Sequence, residues 1–176
     1  GSRAETAGGF YCAGEYDLTR LLSSGRQVLE LGRSCLHESY RGGSAMYLLW
    51  RALAGYIQER GVEVLFGVAS FHGTDLDALA QPLSYLFHHH LAPEDIRVQS
   101  QDDASRGMAL VEPEALQRRE AMAAIPALIK AYLRLGGFVG EGPFVDEPFN
   151  TTDVCLILDT ARMDPKQRAL YVPQPR

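Results

Sequence analysis

Val28-Leu-Glu-Leu-Gly-Arg-Ser-Cys-Leu-His-Glu-Ser-Tyr-Arg-Gly-Gly-Ser-Ala-Met46 is the stretch on which the fold turns. Residues 27–34 read as a strand that sets one carboxylate, Glu30, between apolar neighbours. Alternation puts Glu30 on a face with Val28 and Gly32, while Leu29, Leu31 and Arg33 point the other way. Arg41, Gly42, Gly43 and Ser44 follow as a basic, glycine-containing loop. From Ala45 the apolar positions Leu48, Leu49, Ala52, Leu53 and Tyr56 recur at helical spacing, up to Gly61 where a C-terminal glycine cap belongs. Val62 to Phe71 is a nearly continuous apolar run, the pattern of a strand buried on both faces. Strand, loop, helix and strand make one right-handed crossover unit.

This order of elements has a chemical consequence. The first amides of a helix lack partners and sit at the positive end of its dipole, so Arg41 to Ser44 suit an anionic phosphate. A carboxylate partly desolvated on the adjoining strand suits proton abstraction, and an amine attacking a thioester must first be neutral. Glu30 is therefore a candidate general base. An ion pair between Glu30 and Arg33 satisfies the same spacing, and spacing alone leaves both readings open. Likewise, Gly42-Gly43 in an ordinary strand-to-helix turn would need only backbone freedom.

The rest of the chain alternates similarly. Phe10 to Leu22 holds a short helix after a turn, and Thr74-Asp-Leu-Asp77 resembles a capped helix start, with Pro82 bending or restarting that helix before His90. Residues 97–110 give no clear pattern. Glu112-Pro113-Glu114 opens a further helix, and Pro126 opens or kinks another that Gly136-Gly137 ends. Residues 138–145 and 152–158 read as the last strands, with Gly140 to Pro143 as turn chemistry.

Composition narrows the function. In 176 residues with 46% hydrophobic content the chain buries one sizeable core, so a single domain over 1–176 is expected. With 17 Lys and Arg against 22 Asp and Glu, the net charge of -5 leaves no electrostatic footprint for nucleic acid. Three cysteines, Cys12, Cys35 and Cys155, without CxxC spacing favour a reducing, cytoplasmic setting over a disulfide scaffold. No apolar run reaches the roughly 18 to 20 residues that span a bilayer.

Other residues have a chemical and a bland reading each. Arg33 can take an amino-acid carboxylate bidentately or orient Glu30, and His37 can relay a proton or stand in solvent. His88-His-His90 point in different directions on a helix and cannot all grip one ion, so no metal site is expected. Cys35 beside Glu30 lacks a paired histidine and reads as a small core residue, leaving direct transfer. Ser70, His72 and Asp75 lie at the carboxyl end of the buried strand, where ligands bind in such sheets, although a helix cap explains part of that run. Asn150 and Asp153 either recognise amino groups or form an Asx turn. Lys130 and Arg134, four apart on one helix face, suit an acidic partner or simply solvent.

The run Glu30-Leu-Gly-Arg-Ser-Cys-Leu-His-Glu-Ser-Tyr-Arg-Gly-Gly43 resembles the ornithine lipid synthases, as do Phe66-Gly-Val-Ala-Ser-Phe-His-Gly-Thr-Asp75, Ala127-Leu-Ile-Lys130 and Phe149-Asn-Thr-Thr-Asp-Val154. These are ornithine–acyl-carrier-protein N-acyltransferases, related to the GCN5-type (GNAT) acetyltransferases and to acyl-homoserine-lactone synthases. The resemblance runs from Gly9 to Leu158. It implies an α/β fold of the GCN5 type, a mixed twisted sheet whose central parallel strands, near 27–34 and 62–71, splay to admit a pantetheine arm. It also implies that the chain corresponds to the later two thirds of the family fold, without its N-terminal part. The implied activity is transfer of a long 3-hydroxylated acyl chain from acyl carrier protein to the α-amine of ornithine, the first step of an amino-acid lipid, with peripheral contact to the inner membrane left open.

The site residues follow from the same resemblance. Glu30, Arg33 and Ser34 are the expected catalytic set; Cys35, Leu36, Arg41, Gly42, Gly43, Ser44 and Ala45 the expected donor-binding set; Ser70, His72, Asp75, Asn150 and Asp153 the expected acceptor set. The donor is acyl-4'-phosphopantetheine on the carrier protein, or acyl-CoA, with no permanently bound cofactor. The acetyltransferase loop pattern Arg/Gln-x-x-Gly-x-Gly/Ala is departed from at Ser44 and Met46, which fits a donor with a single phosphodiester. An acetyl-CoA-dependent acetyltransferase and a silent lipid- or partner-binding module are the rival expectations.

Overall fold

The computed structural model describes Ala4, Thr6 and residues 8–33, 37–40, 44–102 and 107–163. After a 3-10 turn at Tyr11–Gly14 come strand β1 (Tyr16–Asp17), helix α1 (Thr19–Ser23) and strand β2 (Val28–Glu30). Helix α2 (Ala45–Arg60) leads into β3 (Val64–His72), α3 (Ala80–His90) and β4 (Gln99–Ser100). A 3-10 turn at Pro113–Ala115 precedes α4 (Arg118–Ala124), α5 (Ala127–Arg134), β5 (Phe138–Val139), β6 (Phe144–Asp146) and β7 (Thr151–Asp159).

The crossover predicted from the opening stretch is present: β2 pairs parallel with β3, Val28 opposite Val64 and Glu30 opposite Phe66. Gly61 closes α2 in the left-handed conformation (φ 61°), its amide and that of Val62 turning back on the last carbonyls of the helix. On the far side β3 runs antiparallel to β7 from Val64 opposite Asp159 to His72 opposite Thr151. The outer edge of β7 pairs in tandem with β5 and β6. β1 and β4 form a separate antiparallel pair.

Alternation along β3 and β7 divides the interior. Leu65, Ala69, Phe71, Val154, Leu156 and Leu158 face the helices, where Leu83, Leu86, Ile125 and Ile129 cover them. Val64, Phe66, Cys155 and Ile157 face the other way, onto Cys12, Tyr16, Leu18, Leu21 and Ile96. Each such side chain removed from water contributes about 1.5–3 kcal/mol, and both faces of β3 are loaded, which explains its unbroken apolar run.

The structure corrects several local expectations. β2 is three residues long, not eight: Leu31 still donates its amide to the Phe66 carbonyl at 2.7 Å, and Arg33 (φ 52°) then turns the chain away. α3 begins at Ala80, not Thr74, because Asp75 Oδ1 accepts the amides of Asp77 and Ala78 and makes a separate turn. Pro82 therefore lies in the first helical turn, where no amide is needed, and causes no bend. The turn at Gly140 to Pro143 separates β5 from β6 rather than the last two strands. α2 buries Ala54 and half-buries Trp50, Leu53 and Ile57, whereas Leu48, Leu49, Ala52 and Tyr56, read as its core face, are exposed.

Gly67 permits the strand separation. A methyl group on its Cα would overlap the carbonyl oxygen of Leu31, so β2 reaches its last contact only because this position has no side chain. Gly67→Ala is expected to cost about 2 kcal/mol or more, as overpacking against backbone does, read as a lower midpoint in urea unfolding.

Candidate active site

Where β2 departs, an apolar cleft of about 370 Å³ opens along Gly67 to Ser70, roofed by Leu49, Trp50 and Leu53 of α2 and walled by Leu128 and Tyr132 of α5. Trp50 and Tyr132 meet edge to face at 5.5 Å, giving the cleft a rigid wall. Burial pushes the Tyr132 hydroxyl up to about 12, so it is a neutral phenol. Ser44 stands at the N-cap of α2, its side chain not closing the helix mouth. The cleft suits an extended apolar chain.

The opposite face of the sheet is acidic. Glu30 accepts the amides of Tyr11 at 2.8 Å and Cys12 at 2.6 Å, one on each carboxylate oxygen, which fixes the carboxylate at the start of the 3-10 turn. Each oxygen keeps further accepting capacity. The Arg33 guanidinium lies 5.8 Å above the Tyr11 ring and also borders the apolar cleft. Three more carboxylates, Glu15, Asp146 and Asp153, bring one oxygen each within 4.8 Å of one another. Glu15 and Asp153 are only 7% and 6% exposed, and one oxygen of each lacks a hydrogen-bond partner among the described residues.

This crowding changes how the acids ionise. Burial first, then Asp153, Asp146 and Glu30, push the Glu15 carboxyl up to about 7. Asp153 is likewise raised by burial, against which the Ser70 and Thr151 side chains act. Beneath them Tyr16 donates its hydroxyl to the Asp153 carbonyl at 2.9 Å. Cys12 and Cys155 meet on this face, and their contact together with burial pushes the Cys12 thiol well up, so it is no nucleophile.

A family model described as an acetyltransferase (GNAT) domain matches residues 1–51. An L-ornithine N(alpha)-acyltransferase of Rhodobacter capsulatus is 61% identical over 96% of this chain and 64% of its own length. Proteins of the same name from Brucella abortus and Rhizobium meliloti are 40% and 38% identical over 96% of the chain, with 61% and 57% of their own lengths covered. By sequence the chain is similar to these acyltransferases, and its first 51 residues match the GNAT domain. It spans roughly three fifths of the length of the curated relatives it matches. No solved structure matches the chain significantly.

The GNAT assignment agrees with the mixed sheet and its separating parallel strands. Of the expected catalytic set, Glu30 and Arg33 lie on either side of Tyr11, and Ser34 falls outside the described residues. Cys35, Leu36, Arg41, Gly42 and Gly43 also fall outside them, while Ser44 and Ala45 begin α2. In the expected acceptor set Ser70 faces Asp153 across the β3–β7 ladder. His72 is exposed at the end of β3, and Asp75 is spent on its turn. Asn150 (φ 52°) makes the bend into β7, its backbone carbonyl accepting the Gly73 amide. Elsewhere His88 Nε2 meets the Val111 carbonyl at 3.1 Å and Lys130 donates to the Met122 carbonyl at 3.1 Å, local roles both.

Glu15 and Asp146 escaped the sequence reading. Glu15 sits in an irregular Gly-Glu-Tyr run and Asp146 ends a three-residue strand, so neither shows a period or spacing that joins it to Asp153.

The Glu15 carboxyl holds its proton to about pH 7 when folded but releases it from about 4.5 when unfolded. Stability from this group therefore falls as pH rises between those values and is level above them. Glu15→Gln removes that fall, and is expected to gain on the parent by on the order of 2–3 kcal/mol between about pH 5 and pH 8, measured by urea unfolding at both.

Proposed function

We propose that this protein transfers an acyl chain from a pantetheine thioester, carried by acyl carrier protein, to the α-amine of ornithine, as the names of its relatives suggest for the acceptor. The observation that carries the reading is the two-sided site: an apolar cleft under α2 that Arg33 borders where β2 leaves β3, and across the sheet a face bearing Glu30 and an acidic cluster. A long acyl chain requires the first, and a zwitterionic amino acid with a second amine the second.

In this reading the donor's phosphate rests at the mouth of α2, over Arg41, Gly42, Gly43, Ser44 and Ala45, and its acyl chain runs into the cleft between Trp50 and Val68. Arg33 takes the acceptor carboxylate, a pairing its planar donor fork fits well. Glu30, whose orientation the amides of Tyr11 and Cys12 hold, accepts a proton from the α-ammonium. The neutral nitrogen attacks the thioester carbon, whose oxygen is polarised by backbone amides beyond Glu30. The C–N bond forms, the C–S bond breaks and the thiol leaves with a proton. The product is a lyso-lipid, and the reading places the protein in the cytoplasm at the inner face of the membrane; among the described residues no helix is long and apolar enough to cross one.

Mass spectrometry with 3-hydroxyacyl carrier protein and ornithine should detect the N-acylated amino acid, and long-chain donor should outcompete acetyl-CoA. Robust acetyl transfer with no long-chain product would favour the acetyltransferase reading. Glu30→Gln should lower kcat by about 10²–10⁴-fold.

A further inference from the structure

The acidic cluster is more than the acceptor-binding Asp153 that the sequence suggested. Three carboxylate oxygens within 4.8 Å of one another, from Glu15, Asp146 and Asp153, repel one another unless a proton or a cation lies between them. No Lys or Arg among the described residues pairs with any of the three. Among the described residues Glu15 Oε2 and Asp153 Oδ1 are buried without a hydrogen-bond partner, on residues more than nine-tenths buried. A fold does not leave two desolvated acceptors bare on behalf of its own stability, since each is costly to bury.

Two members of the cluster border open space: Tyr11, Gly14, Glu15, Asp146 and Pro148 line a cleft of about 400 Å³, with Asp153 buried behind it. Tyr11 connects this cleft to the reaction face, because its amide holds Glu30 and its ring lies under Arg33. Tyr11 thus borders both the Arg33 guanidinium and the anionic hollow.

We propose that Glu15, Asp146 and Asp153 form the seat of the acceptor's distal ammonium group, so that the site selects amino acids carrying a second, cationic amine. An alkylammonium offers three N–H donors and no acceptor, one for each carboxylate. Asp153 is steadied by Ser70 on the neighbouring strand, and Asp146 by the Phe149 amide at 3.2 Å. The inference rests on the transferase reading for the identity of the acceptor, while the cation seat itself can be measured without chemistry.

The test is calorimetric titration of the full chain with ornithine and with norvaline, the amino acid of equal chain length that lacks the distal amine. Ornithine should bind about tenfold or more tightly than norvaline, as loss of charge-assisted hydrogen bonds predicts. The preference should vanish in Asp153→Asn, and in Asp146→Asn, whose partly exposed side chain gives a second variant should the first not fold. Equal binding of the two amino acids, no binding of either, or a preference that survives both substitutions overturns the seat. So does saturable binding of Ca²⁺ or Mg²⁺ alone that Asp153→Asn abolishes and ornithine cannot displace, which would make the cluster a metal site. An acyl-transfer assay separates the two levels: ornithine preference without transfer defeats the transferase reading and leaves the seat, whereas transfer to ornithine and norvaline alike defeats the seat alone.

Discussion

The parting of β2 from β3 after the Leu31–Phe66 hydrogen bond is the constraint from which the site follows. Up to that bond the two strands are ordinary parallel neighbours; beyond it Arg33 adopts a left-handed backbone and leaves the sheet. Gly67 allows the last contact by offering no side chain to the Leu31 carbonyl. A longer pairing would close the apolar cleft, bury Arg33 against β3 and remove the edge along which an acyl chain can lie.

The start of β2 is held as firmly as its end is released. Arg26, just before the strand, grips Asp159 at the end of β7 through two parallel bonds of 2.8 and 2.7 Å, and the Gln27 amide donates to the Glu63 carboxylate at 2.9 Å. Burial acts to raise the Asp159 carboxyl, yet the guanidinium keeps it below its ordinary value, so the pair is ionised where water is scarce. Anchored at one end only, β2 is placed in register and can still diverge. The two faces of the sheet then diverge in character as well. The helix side near the cleft is apolar and the other side carries Glu30, Glu15, Asp146 and Asp153.

Strong local signals in the sequence corresponded to real elements where burial and backbone geometry agreed. The apolar run at 62–71 became β3 because both its faces meet cores, and Gly61 ended α2 because only a left-handed residue closes that helix. The parallel crossover and the position of Glu30 on a face with Val28 followed from period alone. Where a segment was apolar all round, period failed: Leu48, Leu49 and Tyr56 seemed as good a core face for α2 as the stripe through Trp50, Ala54 and Ile57 that is turned inward. β1 and β4, two residues each, left no pattern to read.

The chain's own residues thus determined the order of strand, loop, helix and strand, the side of the sheet on which Glu30 stands and the likeness to the ornithine N-acyltransferases, since these depend on spacing within short runs. Only the tertiary structure decided where β2 leaves β3, which stripe of α2 faces inward, and that Glu15, Asp146 and Asp153 come together. Glu15 and Asp153 are separated by most of the chain and share no period. Their meeting follows from the long β3–β7 ladder and the packing of the Tyr11–Tyr16 segment against it. The charge they leave uncompensated is a property of that meeting, not of any residue taken alone.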